Sequence, residues 1–329
     1  MKALLPISAV YGALVAARNR RFDRGSRVEQ VGVPVISIGN VTTGGTGKTP
    51  CVQWVVRTLQ EAGHRPAVAL RGYGSGRSGV SDEAAEHSRL LPGVPVLAHP
   101  DRVAAVRQHL GAHRDCDVVV LDDGFQHRFI ARQADIVLVD ARRAMSAQRL
   151  LPAGRMREPW SSLRRASAVV VTHAESVDAA MASEIESAGG EPPMAWCRHV
   201  WKSLERHDSQ GVTEVPVANL EGCAVVTRFG VASAAGVRAQ AQAAGARIVA
   251  DLPARDHRAV SAAELLRMEQ ASMEADAVLV TGKDWASLGP LVDWSRLKVP
   301  VLIPRLEIDF LAGGSELGRH VRAAASESV

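Results

Sequence analysis

The run VPVISIGNVTTGGTGKTP, residues 33–50, constrains this chain more than any other stretch. Its first half is apolar and β-branched, a buried strand by pattern. Its second half is rich in glycine. The residues that follow, KTPCVQWVVRTLQEAGH, put Val52, Val55, Val56 and Leu59 at i, i+3, i+4 and i+7, on one face of a helix. Pro50 suits the first turn of that helix and Gly63 its C-terminal cap. A strand, a glycine loop and a helix in this order cradle phosphate, because backbone N–H groups and the helix N-terminus face the anion. Gly44, Gly45 and Gly47 let the backbone close, Lys48 reaches the β- and γ-phosphates, and Thr49 offers its hydroxyl to Mg2+. The pattern G-x-x-x-x-G-K-[ST] asks for glycine at position 42, where this chain has Thr42. The inner glycines remain, so Thr42, Thr43, Gly44, Gly45, Thr46, Gly47, Lys48 and Thr49 are the candidates for binding ATP.

Short apolar runs recur along the chain: PAVAL (66–70), PVLAH (95–99), DVVVLDD (117–123), ADIVLVD (134–140) and ASAVVVTHAE (166–175). Alternating with helical segments, they predict an α/β fold, a P-loop NTPase-like parallel sheet flanked by helices. Residues 71–89 read as a loop rich in glycine and serine. From Trp196 to Asn219 the rhythm breaks into extended strands and a turn, then resumes as a second, smaller α/β domain. The expected divisions are a helix and basic segment at 1–27, a P-loop domain at 28–190, a two-stranded linker at 191–220 and the smaller domain at 221–329. A return of the last residues to the first domain is left open.

DVVVLDD resembles a Walker-B strand, with Asp122 placed to hold the cation and Asp123 to share it. Phosphoryl transfer to a hydroxyl also needs a group that orients or takes the proton. Asp82 and Glu83 follow one strand and Asp256 and His257 another, and spacing alone does not choose between them.

Composition narrows the class. The formal net charge of +4 is modest and no basic-aromatic surface pattern appears, which argues against a nucleic-acid partner. Cys51, Cys116, Cys197 and Cys223 show no C-x-x-C spacing and read as small core residues in a reducing compartment. Ala3–Ala17 is nearly free of charge, and Arg18, Arg20, Arg21, Arg24 and Arg27 crowd the stretch behind it. A helix of fifteen residues spans about 22 Å, short of a bilayer's roughly 30 Å core, so it suits the membrane surface or the protein's own core.

Taken as a set, LLPISAVYG, VPVISIGNVTTGGTGKTP, LRGYG, SDE, HPDR, LDDGFQHRFIARQADIVLVDA, LLPAGRMREP, a late DH and VTGKD resemble the tetraacyldisaccharide 4′-kinase family, the lipid A 4′-kinases of Gram-negative bacteria. The resemblance runs in order to about residue 285, and it accounts for Thr42, since the family's loop has threonine there. It implies ATP-dependent phosphorylation of the 4′-hydroxyl of tetraacyldisaccharide 1-phosphate, giving lipid IVA, at the cytoplasmic face of the inner membrane. It further implies a glycolipid substrate, a membrane-docking N-terminal helix and no obligate protein partner. By the matched motifs, Asp82 is the catalytic aspartate and His257 its partner in a dyad. Asp122 and Asp123 govern Mg2+, with Glu158 a further metal position, while Glu83, Arg102 and Gln126 contact substrate or phosphate. With Asp82 in the first domain and His257 in the second, the domains are expected to close on substrate, with 196–219 as the hinge. Two stretches depart from the family's habit: GVASA at 230–234 stands for GIANP, and TGKD at 281–284 for TEKD. The rival reading is a membrane-associated P-loop ATPase or nucleotide sensor without lipid kinase activity.

Overall fold

The computed structural model describes residues 4–25, 27–72, 82–143, 145, 148–230, 234–254 and 260–327, with Asp82 described by its backbone alone. Two compact units divide the chain. The first comprises Met1–Gly72, His87–His199 and Ile308–Val329; the second comprises Tyr73–Glu86 and Val200–Glu307.

In the first unit, β1 (Val35–Asn40) is flanked by β4 (Val118–Asp122) and β5 (Ala134–Asp140). The order continues outward through β2 (Pro66–Leu70) to β3 (Val96–Ala98) on one side, and through β6 (Ala168–Thr172) to β7 (Ala195–Asp208) on the other. Every pairing in this set is parallel. Parallel strands need crossover helices on both faces, which is why β1, β4, β5 and β6 are buried at every position and lack polar alternation. The chain leaves β1 and returns on its β4 side before crossing to β5. The carboxyl end of β1 is therefore the switch point where a doubly wound sheet opens a crevice.

Helix α2 (Lys48–Glu61) starts from that crevice. Val52, Val55, Val56 and Leu59 are fully buried, as their spacing predicts, each worth about 1.5–3 kcal/mol relative to exposure. Gly63 adopts φ +88° just past the helix, and its N–H closes on Gln60 O at 3.0 Å. Helix α9 (Gly314–Ala325) packs on α2 and β1.

Residues 82–89, expected in a loop, fall in helix α3 (Asp82–Leu90). Its inward face is Ala84, His87 and Leu90, three residues apart, a pattern too poor in aliphatics to stand out in sequence. Residues 82–86 group with the second unit, where the sequence reading has Asp82 in the first domain.

The second unit has strand order β10 (Arg247–Leu252), β9 (Ala224–Arg228), β11 (Ala277–Val280), β12 (Val301–Ala312), then β7, with β8 (Gly211–Pro216) antiparallel to β7. The stretch expected as linker and hinge is this β7–β8 hairpin. Both faces of β9 are covered: Val225 joins a cluster with Phe229, Ala241 and Leu279, and Val226 joins one with Met268, Val280 and Leu288.

Helix α1 (Leu5–Asp23) runs on through the first arginines expected to follow it. No described helix is long and apolar enough to cross a membrane. The polar side of α1 holds it to the first unit. Ser8 Oγ donates to Leu150 O at 3.1 Å, Tyr11 OH donates to Arg157 O at 3.0 Å, and Asn19 Nδ2 donates to Glu158 Oε2 at 2.6 Å. Leu4, Leu5, Ile7, Val10 and Leu14 are exposed, Val10 and Leu14 by 61% and 65%. The helix thus presents its apolar residues outward, against the usual rule for a helix packed on a core.

Candidate nucleotide and phosphoryl-transfer site

The glycine loop is held from three directions. Thr42 bridges Met156, and Thr43 N donates to Arg155 O at 2.7 Å. Asn40 Nδ2 donates to Thr46 Oγ1 at 2.8 Å, and Thr172 Oγ1, at the end of β6, donates to Thr46 O at 2.9 Å. Thr42, where a glycine was expected, is buried. Gly44 and Gly47 have φ of +109° and +79°, in the left-handed region that disfavours a side chain. A Cβ at Gly47 would also run into the His199 ring. Gly44 and Gly45, by contrast, are exposed, which leaves the loop's own N–H groups open to an anion.

Lys48 is the first residue of α2. Its Nζ lies 3.5 Å from Asp123 Oδ1, across from the carboxyl end of β4. Asp123 holds a positive φ of 51°, a conformation that aspartate enters more readily than most side chains. Arg157 Nη1 meets Asp123 Oδ2 at 2.6 Å and Gln126 Oε1 at 3.1 Å. Gln126 Nε2 donates to Asn40 O at 3.0 Å, which ties the end of β1 to the turn after β4. Arg102, buried at the start of α4 (Arg102–Ala112), donates through Nη1 to Asp122 O and Asp123 O at 3.0 and 3.1 Å. Burial lowers its pKa, and the two aspartates act against that.

Asp122 is 5% exposed. Burial pushes its carboxyl pKa up, but the His87 hydrogen bond, the His87 charge, Lys48 and Arg102 outweigh burial and the net shift is downward. His87 Nε2 lies 2.9 Å from Asp122 Oδ2, while Asp122 Oδ1 is buried without a hydrogen-bond partner. A buried carboxylate oxygen with nothing to bind is costly unless something is meant to bind it. Among the described residues no group of three or more His, Cys, Asp or Glu side chains would hold a metal by itself. A cation here would draw its remaining ligands from phosphate oxygens and water, the usual habit of Mg2+. Asp122, Asp123 and the Thr49 hydroxyl fit such a cation.

Glu158, expected at the metal, is otherwise engaged. Arg165 Nη1 and Nη2 meet its two oxygens at 3.0 and 3.2 Å, and Asn19 of α1 donates to Oε2 as well. Burial raises its carboxyl pKa and Arg165 more than offsets this. With both oxygens accepting from a guanidinium, Glu158 anchors α1 to the first unit. Asp82 opens α3 and Glu83 follows it, exposed. His257, with Asp256, lies outside the described residues, as do residues 231–233 of GVASA. Sequence reasoning passed over Arg157 and His87. Arg157 stands inside the quoted LLPAGRMREP, whereas nothing in the sequence marks His87.

A helix that begins at the lysine of a glycine loop, beside a carboxylate pair on the neighbouring strand, places this chain among the P-loop nucleoside-triphosphate enzymes. Comparison with known proteins narrows the class. Residues 1–315 match the model of the tetraacyldisaccharide-1-P 4′-kinase family. The tetraacyldisaccharide 4′-kinase of Chlorobium luteolum is 34% identical, with 85% of each chain covered. That of Chlorobaculum parvum is 31% identical over 99% of this chain and 95% of its own. A crystal structure of LpxK from Aquifex aeolicus in complex with ATP superposes with a TM-score of 0.75 at 25% identity, covering 98% of this chain and 99% of that one. This chain belongs to the tetraacyldisaccharide 4′-kinase family.

Proposed function

We propose that this protein transfers the γ-phosphate of ATP to the 4′-hydroxyl of a tetraacylated glucosamine disaccharide 1-phosphate, giving lipid IVA for lipid A synthesis. The observation that carries the reading is the juxtaposition of Lys48 with the Asp122–Asp123 pair in a chain of this family. The loop N–H groups and Lys48 take the β- and γ-phosphates. Thr49, Asp122 and Asp123 would hold Mg2+, which supplies charge neutralisation between the phosphates. Arg102 and Gln126 brace the backbone that presents the two aspartates. Asp82, with His257 as its partner, takes the 4′-hydroxyl proton as that oxygen bonds to the γ-phosphorus. The bond to the β,γ-bridging oxygen breaks and ADP leaves. Transfer of this kind rests on position and charge more than on covalent help from the protein.

Labelled ATP and tetraacyldisaccharide 1-phosphate in detergent micelles test this. Wild type is expected to form product, and Asp82→Ala to lose about 10²-fold or more, the size of a general-base contribution. A folded wild type that binds ATP and forms no product would reject the reading.

The reaction belongs at a membrane surface, because the acceptor's acyl chains stay in lipid. Helix α1 is the docking element. Its polar side is committed to the first unit, and Ile7, Val10 and Leu14, three and four residues apart, form an outward apolar row. Exposed Arg20 and Arg24 suit anionic head groups, whereas Arg18 turns inward to Gln126 O at 2.7 Å. ATP supply and four cysteines without a disulfide fit the cytoplasmic face. Val10→Asp is expected to weaken sedimentation with anionic vesicles about tenfold, with activity in detergent kept. Unchanged vesicle binding would remove α1 from this role.

A further inference from the structure

We infer that His87 is a positioning residue for Asp122: its Nε2–H pins one carboxylate oxygen so that the other is presented to the divalent cation. The inference rests on the metal reading of Asp122 given above. His87 is fully buried on α3, and its Nε2 lies 2.9 Å from Asp122 Oδ2. An ionised carboxylate only accepts, so the proton of this hydrogen bond is on the ring nitrogen. With Oδ2 engaged, rotation about the Cβ–Cγ bond is fixed, and Oδ1 is left as the buried oxygen without a hydrogen-bond partner. An imidazole N–H on one oxygen orients the carboxylate and leaves the other oxygen for the metal.

His87 also stands five residues after Asp82 in the same helix, a rise of about 7.5 Å along its axis. The hydrogen bond ties the His87 end of α3 to the strand that ends with Asp122. Glu158 differs, since Arg165 donates to both of its oxygens.

The test is ADP binding by calorimetry, in EDTA and with Mn2+, on wild type, His87→Leu, His87→Gln and Asp122→Asn. Wild type is expected to bind Mn2+·ADP more tightly than ADP alone. His87→Leu should lose about tenfold or more of that gain, the usual size for a group that orients a ligand, with metal-free ADP binding unchanged. His87→Gln, which carries an N–H near the position of Nε2, should recover most of it. A leucine variant with the full Mn2+ gain overturns the inference, and so does a glutamine variant as weak as leucine. If Asp122→Asn keeps the full gain, the metal reading itself has failed, a result distinct from failure at His87 alone. Should the leucine variant not fold, 15N spectra of wild-type histidines decide: a His87 ring protonated at Nε2 supports the assignment, and one protonated only at Nδ1 overturns it.

Discussion

Each unit keeps a buried aspartate at the carboxyl side of its parallel strands, and the two are treated in opposite ways. Asp122 ends β4 of the first unit; Asp284 sits in the first turn of α8 (Gly282–Leu288), just after β11 of the second. Their exposures are alike, 5% and 6%. Asp284 is fully occupied. Its Oδ1 accepts from Gly230 N at 2.9 Å and Arg228 Nη1 at 3.3 Å, and its Oδ2 accepts from Thr281 Oγ1 at 2.6 Å. Asp122 has one oxygen engaged and one bare. The same residue type near the carboxyl side of the strands is a filled structural clasp in one unit and, in the proposed site, a binding group in the other. What separates them is whether the fold completes its hydrogen bonds. The contrast also bears on TGKD: the aspartate of that stretch accepts from the cap residue Thr281 and from Gly230 N, work that does not call on residue 282.

Removing the charge on each side separates the two roles. Lys48→Ala and Asp122→Asn are each expected to lower kcat/KM for phosphate transfer about 10³-fold, with little change in thermal stability. An active Asp122→Asn would erase the distinction. Asp284→Ala should do the reverse. Loss of Asp284 leaves Arg228 to its longer contact with Glu264 at 3.8 Å and costs about 3 kcal/mol of stability, while ADP affinity, measured where the variant is folded, stays within about threefold. A drop in ADP affinity with stability intact would place Asp284 in the nucleotide site instead.

Much of the first unit was legible because its signals are local. The β1–loop–α2 unit needs only periodicity and glycine placement, and Asp122 and Asp123 follow directly from an apolar strand. Terms that depend on distant partners were not. His87 and Arg157 meet the aspartates from 35 and 34 residues away in sequence, and no pattern within α3 announces the first. Glu158 shows the same limit in reverse. Its motif marks it as important, but whether its oxygens face a cation or a guanidinium depends on Arg165 and α1 arriving from elsewhere. Helix α1 was foreseen as an apolar helix. Which side would pack was not, because Ser8, Tyr11 and Asn19 fix it by single hydrogen bonds rather than by a periodic face.

Glu158 sharpens the comparison within one unit, since it is a filled carboxylate close in sequence to the motifs of the site. If filled oxygens mark structure, Glu158→Gln should cost about 2 kcal/mol and leave phosphate transfer within about tenfold of wild type. A loss of 10³-fold with stability unchanged would restore Glu158 to the metal.

The smallest effect is a difference of sign with pH. Burial raises the carboxyl pKa of Asp284 above its ordinary 3.8, against the pull of Thr281, Gly230 and Arg228. The charged form is thus disfavoured in the folded state, and the penalty is relieved as pH falls through the folded pKa toward 3.8. For Glu158 burial also acts upward, but Arg165 wins and the pKa falls below its ordinary 4.5. Its contribution is present above 4.5 and is lost as pH falls through the folded value. Urea unfolding of wild type, Asp284→Asn and Glu158→Gln from pH 7 to 3 reads both. As pH falls, wild type should gain on Asp284→Asn and lose its advantage over Glu158→Gln. Slopes of the same sign would mean that the two carboxylates are held by the same balance of burial and charge, and that a filled hydrogen-bond set does not by itself distinguish how a buried acid is used.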